Sequence, residues 1–129
     1  MKPEWISLVF FVISAILHIG FFIAESFIMQ RPEYQKKLKL TDQEFKKIKP
    51  WIFNQGFYNL FLALGVFMGL ALIFKKQVVA AGALTGFCGL SMMFAGVVLF
   101  INQPHLRKWA LLQFLPPLIG FIFLSQHVR

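Results

Sequence analysis

The sequence predicts an all-α membrane protein, a bundle of four transmembrane helices. Hydrophobic residues make up 58% of the 129-residue chain, charged residues only 14%, and the mean hydropathy is +0.70, whereas soluble domains carry about 25% charged residues. Four apolar stretches are each long enough to cross about 30 Å of hydrocarbon. We therefore expect a single four-helix transmembrane domain over residues 1–129, with spans at about 5–29, 51–74, 78–101 and 109–126.

Span 1 carries two ionisable side chains, His18 and Glu25, inside an otherwise apolar run. They are seven residues apart, so they lie on the same helix face about 10 Å from each other. An ionisable residue at membrane depth is costly, and it is by default a functional-site hypothesis. Span 1 is therefore the segment around which we look for polar partners.

The segment between spans 1 and 2, residues 30–50, is polar and basic. Its Thr41–Glu44 stretch has capping-box spacing, which predicts a short amphipathic helix over about 42–49 that Pro50 ends. Such a helix would lie on the membrane surface with its apolar side down. A plain solvated basic loop is the alternative.

Spans 2 and 3 contain small residues at helical spacing. Gly65 and Gly69 form a GxxxG pair in span 2, and Gly82 and Gly86 form one within the glycine-rich stripe of span 3. Small residues allow transmembrane backbones to approach closely. We therefore expect span 3 to be a tightly packed central helix or the contact of a homo-oligomer.

Span 4 has Pro116 and Pro117 at its middle. A proline inside a helix lacks the N–H that would bond the carbonyl four residues earlier. We expect a kink there, with backbone carbonyls freed near the midplane of the bilayer.

The orientation follows from the basic residues beside the spans. Nine of the thirteen Lys and Arg residues lie in 30–50 and 102–108, and four lie on the opposite side. The positive-inside rule places these two loops in the cytoplasm and both termini on the non-cytoplasmic side. The same distribution accounts for the net charge of +8, so we expect the bilayer, and no nucleic acid, as a partner.

Polar side chains are concentrated in the cytoplasmic half of the predicted bundle. Counted from the cytoplasmic ends, Glu25 and Gln113 lie about 6 Å deep. His18 lies about 16 Å deep, and Asn59, at about 12 Å, comes closest to it in depth. We predict a cytoplasm-facing pocket with His18 at its floor and Glu25 near its mouth. The predicted ligand-binding residues are His18, Glu25, Asn54, Gln55, Tyr58, Asn59 and Gln113. The alternative is that the amides only form interhelical hydrogen bonds, at about 0.6 kcal/mol each.

A family resemblance rests on the same positions. They are the H-x6-E of span 1, the NQGFYN of residues 54–59 (family form N-Q-G-x-Y-N), and a basic-then-QxxP segment formed by Arg107, Gln113 and Pro116. On these motifs the chain resembles the small bacterial membrane proteins known as domain of unknown function 1304. The resemblance covers nearly the whole chain, implies a four-span fold and suggests that these positions matter, with no activity attached. We expect a multi-pass protein of the cell's inner membrane. Family members often continue with Pro-Ala-Leu where this chain has Pro-Pro-Leu.

Three classes of function are open at this point. A pocket that binds a lipophilic or amphipathic small molecule, or a lipid, is the first, with isomerase-like acid/base chemistry by His18 and Glu25 if the protein is an enzyme. The polar set is similar in this respect to that of emopamil-binding-type sterol isomerases, a fold-level analogy. The second is a small proton-coupled transporter of lipophilic cations that uses Glu25. The third is a structural bundle without turnover.

No cofactor or metal is predicted. The three histidines fall at the midplane, at the cytoplasmic rim and at the far end of the bundle, so one protomer cannot bring them to a common ion. They are His18, His105 and His127.

Overall fold

The computed structural model describes residues 3–127, and within them every regular element is helical. Helix α1 is followed directly by one π-helical turn, and a 3-10 turn at Pro104–Leu106 precedes the last helix. The α-helices are α1 (Pro3–Ile23), α2 (Pro32–Lys37), α3 (Asp42–Phe74), α4 (Val78–Asn102) and α5 (Arg107–His127), and the π turn is Ala24–Ile28. Lys2 and Arg129, which entered the charge comparison, lie outside the described residues.

Four helices are long and apolar enough to cross a membrane: α1 with its π turn, α3, α4 and α5. This confirms the predicted all-helical four-span fold. The orientation of the termini remains a prediction, because length and composition do not distinguish the two sides of a bilayer.

The four long helices pack in a ring in which α1 touches α3 and α5, and α4 touches the same two helices from the other side. The core is small and apolar, and it consists of Phe11, Ala15, Ala63, Val66, Cys88 and Met92. The outward faces are apolar as well; Val79, for example, is 88% exposed. An apolar exterior around a thin core is what a helix bundle in lipid requires.

The glycines divide into those that serve packing within the chain and those that face outward. A Cβ added at Gly69 would collide with Thr85 Oγ1, and one at Gly96 would lie 2.9 Å from the Ala110 carbonyl oxygen. Gly82 and Gly86 have nothing within 4 Å of such a Cβ. The span 3 stripe therefore packs α4 against its neighbours with one part, and a homo-oligomer through the other part stays a prediction.

The capping box predicted at the start of α3 is confirmed. The Thr41 hydroxyl accepts from the Glu44 backbone N–H at 3.3 Å, and Glu44 Oε2 accepts from the Thr41 backbone N–H at 2.8 Å. These two bonds satisfy backbone donors that the first turn leaves free. The helix thus begins at Asp42 as the sequence indicates.

The predicted end of this helix at Pro50 is wrong, because α3 runs through Pro50 without a break to Phe74. A proline removes one helical hydrogen bond, but it does not by itself end a helix whose flanking turns are held by other contacts. Here the cap holds the first turn, and Phe45 is only 6% exposed. The amphipathic turns are therefore the beginning of the spanning helix instead of a separate surface helix.

Candidate functional site

Glu25 lies in the π turn that ends the first spanning segment. The turn is closed by the Met29 backbone N–H, which donates to the Ala24 carbonyl oxygen at 2.8 Å, and by Gln30 Nε2, which donates to the Glu25 carbonyl oxygen at 2.8 Å. Single π turns within or next to α-helices occur frequently at functional sites. The extra residue changes the direction in which the side chains after Ile23 point.

The Glu25 carboxylate meets Asn59 of α3. Asn59 Nδ2 donates to Glu25 Oε2 at 2.8 Å, and Asn59 is only 3% exposed while Glu25 is half-buried. Among the described residues this amide is the one side chain that bonds the carboxylate, and no Lys or Arg forms an ion pair with it. The carboxylate is therefore held by a neutral partner through a single oxygen.

Gly56 allows α3 to approach the π turn. A Cβ at this position would collide with Ser26 Oγ and lie 3.2 Å from both the Glu25 Cβ and the Phe22 carbonyl oxygen. Ser26 is buried, and its hydroxyl donates to the Phe53 carbonyl oxygen at 3.4 Å. The absence of a side chain at Gly56 thus allows α3 to pack against the π turn. This packing brings Asn59, one turn further along α3, to Glu25.

The other polar residues of NQGFYN point away from this contact. Asn54, Gln55 and Tyr58 are exposed, the last at 56%. Gly56 and Asn59 share the inward face of α3, and a rotation of about 100° per residue places Asn54 and Tyr58 on other faces. Gln55, four residues before Asn59, lies at the edge of the inward face and is exposed. Of the four residues of α3 that were predicted to bind a ligand, only Asn59 contacts the Glu25 side chain.

His18 is fully buried and makes separate contacts. Its Nδ1 lies 2.9 Å from the Ser14 carbonyl oxygen, so this nitrogen carries the proton that the carbonyl accepts. Nε2 is buried and has no hydrogen-bond partner among the described residues. The ring packs edge-on against Phe21, with the centroids 5.4 Å apart. Asn59, expected from its depth to lie nearest His18, bonds Glu25 instead.

Gln113 of α5 lies at the depth of His18 and not, as expected, at that of Glu25. The rings of Phe21 and Trp109 are in contact, with centroids 6.3 Å apart. Since α1 and α5 are antiparallel, Gln113, about 6 Å beyond Trp109, reaches the level of His18. Gln113 is buried at 8% exposure and has no side-chain hydrogen bond to another described residue.

Backbone polar groups add to this second position. Pro116 and Pro117 both lie inside α5. Because proline has no N–H, neither can donate to the carbonyl four residues earlier, those of Leu112 and Gln113. The bundle therefore has two polar levels: the Glu25–Asn59 pair near one end, and a deeper level at which His18 and Gln113 lie without a hydrogen bond between them.

A shallow depression of about 530 Å³ lies between Gln30, which follows the π turn, and residues 49–54 of α3. It is lined by Gln30, Lys49, Pro50, Trp51, Phe53 and Asn54. Neither His18 nor Glu25 lines it, so a pocket that runs from one to the other remains a prediction. Within the described part of the chain, no three His, Cys, Asp or Glu side chains are grouped to hold a metal ion.

Sequence reasoning missed three contributors to the site: the π turn, Ser26 and Gln30. An i→i+5 turn leaves no compositional signature, and Gln30 lies at the boundary where the apolar run ends. Gly56 was the available signal, since a glycine between two polar residues inside a span indicates close backbone approach.

Comparison with known proteins gives one match. A family model described as "Protein of unknown function (DUF1304)" matches residues 12–125, a range that contains every candidate residue. No curated protein and no solved structure matches the chain.

Proposed function

This chain belongs to the DUF1304 family of proteins of unknown function, and we propose that it is an inner-membrane protein that binds a lipophilic or amphipathic small molecule through Glu25. The observation that carries the proposal is the Glu25 carboxylate, which accepts one hydrogen bond from Asn59 and has no cationic partner among the described residues. An incompletely bonded carboxylate in a spanning segment is costly. A ligand that brings a cationic or hydrogen-bond-donating group would offset that cost.

Aromatic side chains beside the π turn supply an apolar surface for such a ligand. Phe22 and Glu25 both lie against Gly56, where a built Cβ would be 3.2 Å from the Phe22 carbonyl oxygen and 3.2 Å from the Glu25 Cβ. The Phe22 ring contacts those of Phe27 and Phe57 edge-on, with centroids 5.6 and 5.1 Å away. A polar group at Glu25 and an apolar body against these rings match the two ends of an amphipathic molecule.

Binding needs only Glu25, whereas acid/base chemistry needs more. His18 and Glu25 are seven residues apart, about 10 Å along α1, and they have different hydrogen-bond partners. A substrate would have to contact both groups for an isomerase-like reaction. We therefore propose binding as the function and leave turnover out of it.

Proton-coupled transport of a lipophilic cation is a second candidate, favoured by the same carboxylate without a cationic partner. Transport also needs a path across the bundle. The layer beyond Asn59 on α3 is closed by Ala63 and Val66, both 0% exposed, and by Met92 of α4, also 0% exposed. This apolar layer favours binding over passage.

The test is native mass spectrometry of the purified full chain in detergent. We expect wild-type protein to bind dodecylamine in preference to dodecanol, and Glu25→Gln to lower the apparent affinity for the amine about tenfold, as expected when a charged hydrogen-bonded partner is lost. Glu33→Gln removes an exposed carboxylate and serves as the matched control, with affinity unchanged.

Equal amine binding by wild type and Glu25→Gln would refute the proposal. Transport is tested separately with proteoliposomes: a proton flux that follows tetraphenylphosphonium uptake and disappears in Glu25→Gln would favour the transporter instead.

A further inference from the structure

We propose that the depression beside residues 49–54 of α3 binds the headgroup of an anionic phospholipid, whose acyl chain lies along an aromatic stripe on the same helix. The proposal shares Phe57 with the aromatic surface beside the π turn but does not use the Glu25 carboxylate, so it goes beyond the function proposed above and does not depend on it. The occupant is a lipid of the leaflet on the side of residues 31–49.

The polar end of the depression presents hydrogen-bond donors and no carboxylate. The Lys49 ammonium is exposed, lies 5.6 Å from the centre of the Phe45 ring, and has no acidic partner among the described residues. The Asn54 amide and the Trp51 indole N–H add neutral donors, and Trp51 is 75% exposed. Donors without competing acceptors match the oxygens of a phosphate group.

One wall of the depression is held in place by its own hydrogen bonds. Gln30 Nε2 donates to the Lys49 carbonyl oxygen at 3.4 Å and to the Glu25 carbonyl oxygen at 2.8 Å. These bonds tie the end of the π turn to α3 just before Pro50. The donors of the headgroup site therefore lie on a helix segment that Gln30 ties to the π turn.

An apolar stripe leads from the depression into the spanning part of α3. Phe53, Phe57 and Phe61 are spaced four residues apart, with successive ring centroids 5.0 and 6.2 Å apart. Phe53 is 43% exposed and Phe61 is 57% exposed. The stripe covers about 12 Å along the helix, and its rings offer an acyl chain a continuous apolar surface below the headgroup.

Charge and position determine which lipid the site would take. Residues 31–49 hold seven Lys and Arg against three Asp and Glu, and a basic segment beside a span attracts anionic lipid. Tryptophan is enriched at the membrane interface, where Trp51 would sit. If the attraction were only diffuse, each of these lysines would contribute equally to lipid binding. In a defined site, Lys49 contributes more than the others.

Native mass spectrometry of the full chain in detergent, titrated with phosphatidylglycerol or phosphatidylcholine of equal chain length, tests this. We expect phosphatidylglycerol to bind more tightly, and Lys49→Gln to weaken its binding about fivefold. Lys47→Gln removes an equally exposed lysine on the same helix that does not line the depression, and we expect a change of less than about twofold. Equal losses in the two variants, or equal binding of the two lipids, would overturn the proposal.

Two further arms separate this site from its alternatives. Phe61→Ala should weaken phosphatidylglycerol binding, and soluble glycerol phosphate at the same concentration should not displace the lipid, because the stripe contributes to affinity. Displacement by glycerol phosphate would mean that the headgroup alone is recognised, and it would overturn the acyl-chain contact. Glu25→Gln should leave phosphatidylglycerol binding unchanged, which keeps this result independent of the amine-binding test.

Discussion

At the scale of single residues, Gly56 is where α3 comes closest to the π turn. The space for its missing side chain is occupied by Ser26 Oγ and by the Phe22 carbonyl oxygen, 3.2 Å from a built Cβ. We expect Gly56→Ala to lower the free energy of unfolding by about 1–3 kcal/mol through overpacking. The measurement is the unfolding midpoint in detergent, where Ser26→Ala in the same background should recover part of the loss.

Gly82→Ala is the matched control for this substitution. Nothing lies within 4 Å of a Cβ at Gly82, so the change should stay within about 0.5 kcal/mol. If Gly56→Ala unfolds no more readily than Gly82→Ala, or if Ser26→Ala gives no relief, the close approach of α3 to the π turn is not tight.

The contact between Glu25 and Asn59 shows which part of the site can be predicted from the sequence and which part cannot. Depth along a span can be counted at 1.5 Å per residue, and this placed Glu25 and an amide of NQGFYN in the same half of the bundle. Which amide bonds the carboxylate depends on the rotation of α3 about its axis. That rotation is set by the contact of Gly56 with Ser26, which involves two helices and cannot be deduced from one.

At the scale of elements, α3 is the helix whose course departs from the sequence prediction. It continues through Pro50, which gives up one helical hydrogen bond without ending the helix. We expect Pro50→Ala to raise the free energy of unfolding by on the order of 1 kcal/mol, because the restored N–H outweighs the greater entropy of the unfolded chain. The unfolding midpoint and slower amide exchange over residues 46–53 would measure it.

A loss of stability in Pro50→Ala would contradict this expectation. It would mean that the proline shapes the turn that presents the Lys49 carbonyl to Gln30. Gln30→Ala tests the second case, since it removes that contact, together with the bond to the Glu25 carbonyl oxygen, while Pro50 stays in α3.

The elements also differ in how well they can be predicted from the sequence. Apolar length predicts each span, and Thr41 with Glu44 predicts the start of α3, because capping boxes depend on side chains that are visible in the sequence. The π turn at Ala24–Ile28 is a change in the pattern of backbone hydrogen bonds. This turn, with its extra residue, is stabilised by packing against α3, so neither the composition nor the hydrophobic periodicity of the sequence predicts it.

At the scale of the whole molecule, the offset between helices decides which polar residues meet. Equal depths counted from the apolar boundaries paired Asn59 with His18 and Gln113 with Glu25. The contact of Glu25 with Asn59 shifts the first pairing by about one turn, and the contact of Phe21 with Trp109 shifts the second by about 10 Å, or two turns. Helix ends in a bundle are set by packing, and the apolar boundary of a sequence locates them only to within one or two turns.

The distribution of basic residues leads to the last prediction, which concerns orientation. Nine of the thirteen Lys and Arg residues lie beside α2 and the amino-terminal ends of α3 and α5, so the positive-inside rule places that end in the cytoplasm. Cys88 is the only cysteine and is 4% exposed, so the wild-type chain is a low-labelling background. We expect an impermeant maleimide to label Lys75→Cys on intact cells, and Lys37→Cys only after permeabilisation; both lysines are exposed.

The reverse labelling pattern would place both termini in the cytoplasm, and labelling of both cysteines on intact cells would indicate dual orientation. The result also bears on the lipid site. Lys37 and the depression around Lys49 lie at the same end of the bundle, since α2 leads directly into the start of α3. The leaflet that supplies the phospholipid is therefore the one on the side of Lys37, and a cytoplasmic Lys37 would expose the site to the anionic lipids of the cytoplasmic leaflet.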